Sequence, residues 1–177
     1  MITAESGIER VLIPEEMIQS RVRQLAERIT EDYKGQIIVM IGVLTGAVMF
    51  LSDLARAISL PMEMDFIACS SYGHRTTTSG EVRMIKDLSH PVEGRHVLLV
   101  EDIIDSGLTM RYLQDTLRNR QCASLRTVAL LDKPSGRKTI IQADYVGFTI
   151  ENHFVVGYGL DYAGLYRNLS YIGVLKP

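Results

Sequence analysis

The stretch VLLVEDIIDSGLT occupies positions 97–109, and its reading decides the fold. Val97, Leu98, Leu99 and Val100 close an apolar run (95–100, RHVLLV) with no polar alternation, as in a strand buried on both faces. They deliver Glu101 and Asp102 at the carboxyl end of that strand. Asp105, Ser106, Gly107, Leu108 and Thr109 follow, and Met110, Leu113 and Leu117 then recur at helical spacing. A buried strand, a glycine turn and a helix make one unit of an α/β domain.

Two chemical features converge in this unit. A turn such as DSGLT at a helix N-terminus exposes unpaired backbone N–H groups and the positive end of the helix dipole, which suits a phosphate. Gly107 lets the backbone approach an anion closely. Beside the turn stand three acids, Glu101, Asp102 and Asp105. Their mutual repulsion calls for a divalent cation, sugar hydroxyls or a bound proton. Read alone, the acids could be a solvated loop with Asp105 or Ser106 as a helix cap. Their place directly after a buried strand favours a site.

Outward from this unit the same alternation continues. Ile18, Val22, Leu25 and Ile29 form one face of a helix that starts after Pro14 and ends at Gly35. Residues 37–43 (IIVMIGV) fit a buried strand and 47–58 a second helix. Residues 62–70 fit a strand, and 71–81 (SYGHRTTTSGE) a mobile surface loop. Further strands are expected at 124–131, 145–150 and 154–158. The order predicts a single α/β domain, with a mainly parallel twisted sheet flanked by helices. Its site should lie at the carboxyl ends of the strands.

Composition excludes several classes. The chain has 177 residues, 46% hydrophobic and 23% charged, with a net charge of −2. That is one globular domain, and it lacks the basic excess of a general nucleic-acid binder or a polybasic membrane anchor. Cys69 and Cys122 form no CxxC pair and read as small buried hydrophobes. The apolar run 37–51 is shorter than the roughly 20 residues of a membrane span and holds Gly42, Thr45 and Gly46. No basic segment followed by an apolar core opens the chain, so a soluble, cytoplasmic protein is expected. No GxxxxGK[ST] or GxSxG occurs, and the four histidines lack metal-ligand spacing. Gly157, Gly159 and Gly164 do not have the spacing of a dinucleotide fingerprint.

EDIIDSG followed by Leu108 and Thr109 resembles the phosphoribosyl-pyrophosphate signature of the type I phosphoribosyltransferases. It is most similar to their 6-oxopurine, hypoxanthine-guanine branch in its bacterial form. The resemblance extends to VLTGAVMFLSDLAR (43–56), SSYG (70–73), LLDKPSGR (130–137) and FVVGYGLDYAGLYRNLSYIGVL (154–175). It implies the type I fold over residues 1–177, with a lid at about 71–81. A small hood would be formed by residues 154–177 and the N-terminal segment, including a terminal strand.

The implied reaction is purine salvage, with Mg²⁺ as cofactor. The 5-phosphoribosyl group of phosphoribosyl pyrophosphate passes to hypoxanthine or guanine, giving IMP or GMP and pyrophosphate.

The resemblance also implies roles residue by residue. Asp105 would be the general base, and the loop Asp105, Ser106, Gly107, Leu108 and Thr109 would hold the 5′-phosphate. Glu101 and Asp102 would hold the ribose hydroxyls and the metal, with Asp161 completing the metal site and meeting the base. Leu44, Thr45 and Gly46, joined by a cis peptide between Leu44 and Thr45, would bind pyrophosphate together with Arg167. Lys133 would donate to the 6-oxo group, Phe154 would stack on the purine and Val155 would offer backbone hydrogen bonds. Ser71 and Tyr72 would belong to the lid, while His74 and Arg75 carry no role. Thr45 stands where many animal relatives have lysine. The partners implied are small molecules and further copies of the chain, as a homodimer or homotetramer, with no nucleic acid or membrane. A xanthine-directed transferase and an RNA-binding regulatory relative are the rival readings. Asp105, Lys133, Asp161 and Arg167 together favour catalysis over regulation.

Overall fold

The computed structural model describes residues 7–71 and 82–176. The elements run β1 (Ile8–Ile13), α1 (Glu15–Asp32), β2 (Ile38–Leu44), α2 (Val48–Ala57), β3 (Met62–Ser71) and β4 (Val82–Lys86). After these come β5 (His96–Ile104), α3 (Leu108–Asn119), β6 (Ser124–Asp132), β7 (Tyr145–Thr149), β8 (Val155–Val156) and β9 (Ile172–Leu175). A 3₁₀ turn covers Pro134–Gly136.

Six strands form one sheet in the order β4-β3-β2-β5-β6-β7, parallel throughout except for the antiparallel edge strand β4. Its apolar runs explain its place between two helical layers. Along β5, Leu98 and Val100 join α1 and α2 residues such as Ile18, Val22, Phe50 and Leu54 in one core. Val97 and Leu99 point the other way, into a second core with Met110, Leu113 and Leu117 of α3. The period of two in the strand and the three-to-four spacing in the helices meet on both faces. The fold is therefore the α/β class read from the sequence.

The chain order creates a switch point. From β2 the sheet grows through β3 to one side, and from β5 through β6 and β7 to the other. The two inner strands pair from Ile38 with His96 to Gly42 with Val100, and no further. Beyond that pair β5 continues against β6 alone, as far as Ile104 with Asp132. Glu101 and Asp102 thus stand where β5 loses its neighbour, at the mouth of the crevice where open α/β sheets bind ligands.

A second sheet, β1-β9-β8, is antiparallel. Several boundaries differ from the sequence reading. The strand expected at 154–158 shrinks to Val155–Val156, because Gly157, Tyr158 and Gly159 all take positive φ. The first helix stops at Asp32, and Gly35 lies in the following turn with φ 77°. The second begins at Val48, and β7 ends at Thr149. β5 runs past its acidic pair to Ile104. Strands β1 and β4 were not anticipated. Of the loop expected at 71–81, Ser71 closes β3, and the remainder, with Tyr72, His74 and Arg75, lies outside the described residues.

Candidate active site

The site is assembled from the carboxyl ends of β2, β5 and β6. At the end of β5 the chain turns into α3 through Gly107, whose φ of 81° suits glycine. Glu101, Ile103, Ile104, Asp105, Ser106, Gly107, Thr109 and Met110 enclose a cavity of about 110 Å³. That is room for a few waters or one tetrahedral anion. The first amides of α3 have no partner within the helix, and the Leu108 N–H is met locally by the Ser106 hydroxyl at 3.4 Å. The Ser106 carbonyl accepts the Lys138 N–H at 2.9 Å, tying the turn to the segment after β6.

Next to this cavity Glu101 is buried and Asp102 half-buried. Burial, reinforced by the neighbouring Asp102 charge, holds the Glu101 carboxyl well above the usual carboxylate range. Burial also raises Asp102, although its hydrogen bonds and the Arg167 cation oppose the shift. Two such carboxyls gain from any cation or hydroxyl donor that shares them.

The turn after β2 closes on this pair. The Leu44–Thr45 peptide is cis, as expected from the resemblance. A Cβ placed on Gly46 would lie 1.7 Å from Asp102 Oδ2. Only a glycine lets the Asp102 carboxylate rest against that turn.

On the other side Lys133 follows β6, and its amide donates to the Ile104 carbonyl at 3.0 Å. Its side chain is buried, and its ammonium pairs with Asp105 at 2.6 Å. The 3₁₀ turn wraps this ion pair: a Cβ on Gly136 would fall 1.7 Å from Asp105 Oδ1. Arg137 pairs with Asp132 beneath the turn. Neither Gly136 nor Arg137 was singled out from sequence, although both lie in the quoted LLDKPSGR.

A cavity at a helix N-terminus, an acidic pair and a buried lysine meeting a turn acid now share one crevice. Residues 14–163 match the family model described as the phosphoribosyl transferase domain. The chain belongs to the phosphoribosyltransferase family. It is 56% identical over 170 residues to the hypoxanthine-guanine phosphoribosyltransferase of Bacillus subtilis, covering 96% of this chain and 94% of that one. A bifunctional protein TilS/HprT of Listeria innocua is 54% identical over 97% of this chain, which spans only 26% of that protein's length. A solved hypoxanthine phosphoribosyltransferase of Staphylococcus aureus superposes with a TM-score of 0.93 at 46% identity, covering 98% of this chain and 94% of that one.

The remaining candidates of this phosphoribosyltransferase lie in the segment before β9. Phe154 is 55% exposed and meets Tyr162 edge-on, with ring centroids 5.7 Å apart. Val155 is buried in β8. Asp161 does not join the carboxylates of β5. Its Oδ1 pairs with Arg167 at 2.7 Å and its Oδ2 accepts the Gly164 N–H at 2.8 Å. Among the described residues no three His, Cys, Asp or Glu side chains converge as a ready-made metal cage. Of the three acids that the resemblance assigns to the metal, Asp161 therefore stands apart from the other two. Glu101 and Asp102 form one pair, Asp105 faces Lys133 and Asp161 faces Arg167.

Proposed function

We propose that this phosphoribosyltransferase moves the 5-phosphoribosyl group from phosphoribosyl pyrophosphate to hypoxanthine, and also to guanine, releasing pyrophosphate in purine salvage. The observation that carries the reading is the buried Lys133 ammonium set against Asp105 on the rim of the anion cavity. In the free protein each group satisfies the other, so the lysine is not left as an uncompensated buried charge. In the complex, Lys133 donates to the 6-oxo oxygen and Asp105 accepts the proton of an imidazole-ring nitrogen.

The loop 105–109 holds the 5′-phosphate through its backbone N–H groups and the α3 dipole. The other imidazole-ring nitrogen attacks the anomeric carbon as the bond to pyrophosphate breaks, and pyrophosphate leaves with the electron pair. The Glu101–Asp102 pair holds the ribose hydroxyls, and its negative charge stabilises the cationic character that develops on the ribose. Phe154, already exposed, stacks on the purine, and Val155 offers it backbone hydrogen bonds. Thr45, Leu44, Gly46 and Arg167 receive the pyrophosphate oxygens, where a guanidinium fork fits.

Magnesium fits the donor set. It takes one or two carboxylates and completes its shell with water and substrate phosphates, so two adjacent acids with raised proton affinity suit it better than an all-protein cage. When bound it would neutralise the leaving pyrophosphate. Glu101 and Asp102 would hold it, and Asp161 would join them only after release from Arg167.

Residues 1–177 form one catalytic domain in this reading. The β1-β9-β8 sheet and residues 154–177 act as its hood, and the segment around Ser71 and Tyr72 as a lid that excludes water. The enzyme is cytoplasmic and works as a homodimer or homotetramer. No helix among the described residues is long and apolar enough to cross a membrane.

The test supplies Mg²⁺, phosphoribosyl pyrophosphate and each purine in turn, and follows nucleotide and pyrophosphate release. Hypoxanthine and guanine should react and adenine should not. No product from either oxopurine refutes the assignment. A narrower expectation concerns Gly46→Ala. Its backbone is compatible with alanine, but the added Cβ must push the Asp102 carboxylate aside. Losing one well-placed polar contact should raise the KM for phosphoribosyl pyrophosphate by roughly tenfold while leaving the purine KM near its original value. Steady-state kinetics with each substrate varied in turn checks it.

A further inference from the structure

We propose that Tyr158, hydrogen-bonded to Asp53, is a positioning residue for the pyrophosphate half of the site. The proposal rests on the assignment of Arg167 and the Leu44–Gly46 turn to pyrophosphate.

Asp53 lies on α2, on the side of the sheet that carries α1. Its Oδ2 accepts the Tyr158 hydroxyl at 2.6 Å and Gln19 Nε2 of α1 at 2.8 Å, and its Oδ1 pairs with Arg56. Three partners on three segments converge on one carboxylate. Tyr158 is only 5% exposed and is held in the left-handed region at φ 50°, between Gly157 at 100° and Gly159 at 102°. A bulky residue in that conformation persists only when its surroundings over-determine it. The ring is locked at one end by Asp53 and at the backbone by its N–H, which donates to the Leu169 carbonyl at 2.9 Å.

The next residue explains what the lock controls. A Cβ on Gly159 would stand 2.0 Å from the Gly46 carbonyl, so this backbone lies directly on the turn after β2. The Gly159 carbonyl accepts Arg167 Nη1 at 2.6 Å, and its N–H donates to the Arg167 carbonyl at 2.9 Å. The far side of Arg167 borders a cavity of about 370 Å³ that it shares with Asp53 and Tyr158. Arg167 is therefore aimed by the Gly159 carbonyl and by Asp161. Tyr158 transmits the position of α1 and α2 to Gly159, and Gly159 sets both the turn and the guanidinium. Lys133, Asp105 and the α3 turn follow β6 and β5, and Phe154 and Val155 are held by pairing with β9, so the base contacts do not run through this lock.

The experiment compares the full chain with Tyr158→Phe, Asp53→Ala and Asp53→Asn. The readouts are KM for phosphoribosyl pyrophosphate, KM for hypoxanthine, affinity for inorganic pyrophosphate by calorimetry, and Tm. Tyr158→Phe and Asp53→Ala should raise the KM for phosphoribosyl pyrophosphate and weaken pyrophosphate binding by roughly three- to tenfold, the worth of one net hydrogen bond. The hypoxanthine KM should stay close to wild type. Asp53→Asn keeps an oxygen for the Tyr158 hydroxyl and should recover most of the loss. If Asp53→Ala fails to fold, Tyr158→Phe decides, since it removes one atom and keeps the ring. A lower Tm with both KM values unchanged overturns the proposal, as does an equal rise in both. If the wild-type chain forms no nucleotide, the transferase assignment fails, and pyrophosphate calorimetry still tests the Tyr158 lock by itself.

Discussion

Asp105→Asn should lower turnover by about 10²–10⁴-fold, the usual contribution of a general base, with little change in the affinity for phosphoribosyl pyrophosphate. The asymmetry follows from what each part of the turn does. In the proposed function phosphate binding draws on the backbone N–H groups at the start of α3 and on the cavity beside them, and asparagine leaves that backbone in place. Removing a negative charge beside a phosphate can only favour its binding. The Asp105 carboxylate faces Lys133 at 2.6 Å and is about half exposed, open to a base arriving from the crevice. Asparagine keeps the shape and an oxygen for Lys133, but it cannot take a proton. The measurement is single-turnover rate against substrate dissociation constant. An equal loss in both would make Asp105 a binding residue rather than the base.

Much of this site was legible because its signals are local. VLLVEDIIDSGLT carries the strand, the acidic pair, the turn and the helix in thirteen consecutive residues. The hydrophobic pattern ends at Val100, where β5 loses β2 as its neighbour, although the strand itself carries Glu101 and Asp102 on to Ile104. LTG after an apolar strand and LLDKP at the end of another mark their turns in the same way.

What the sequence could not show is long-range. That Gly46 is needed by Asp102, or Gly136 by Asp105, is a matter of distances between residues tens of positions apart. The Asp53–Tyr158 contact spans 105 positions, and although both residues lie in quoted segments, nothing in either segment points to the other. The acids were read as one cluster because three of them are close in sequence. In space their cationic partners separate them, since Lys133 pairs with Asp105 and Arg167 with Asp161, while Glu101 and Asp102 stay side by side. The missed strands β1 and β4 have a related cause. β4 is five residues long at a sheet edge, with the apolar Ile85 on its exposed side, and β1 pairs with β9 from the opposite end of the chain.

The division of charges also bears on specificity. Lys133 is the one buried lysine or arginine among the described residues, and the proposed function sets it against the purine. A buried donor with a fixed position discriminates through the cost of leaving it unsatisfied. An oxo group at the purine 6-position accepts from it, whereas an amino group presents a second donor. Lys133→Met should therefore lower kcat/KM for hypoxanthine by roughly 100-fold, the upper range for one hydrogen bond to a charged group. The same substitution should narrow the preference for hypoxanthine over adenine, because methionine fills the space without favouring either base. Lys133→Gln, which keeps a neutral donor, should fall between methionine and wild type. Competition between hypoxanthine and adenine in one reaction gives the ratio directly. A ratio left at its wild-type value while kcat/KM falls would mean that Lys133 acts only through Asp105, by holding the carboxylate in place. Asp105→Asn separates that case, because it removes the charge that Lys133 would be holding and leaves the ammonium free to read the base.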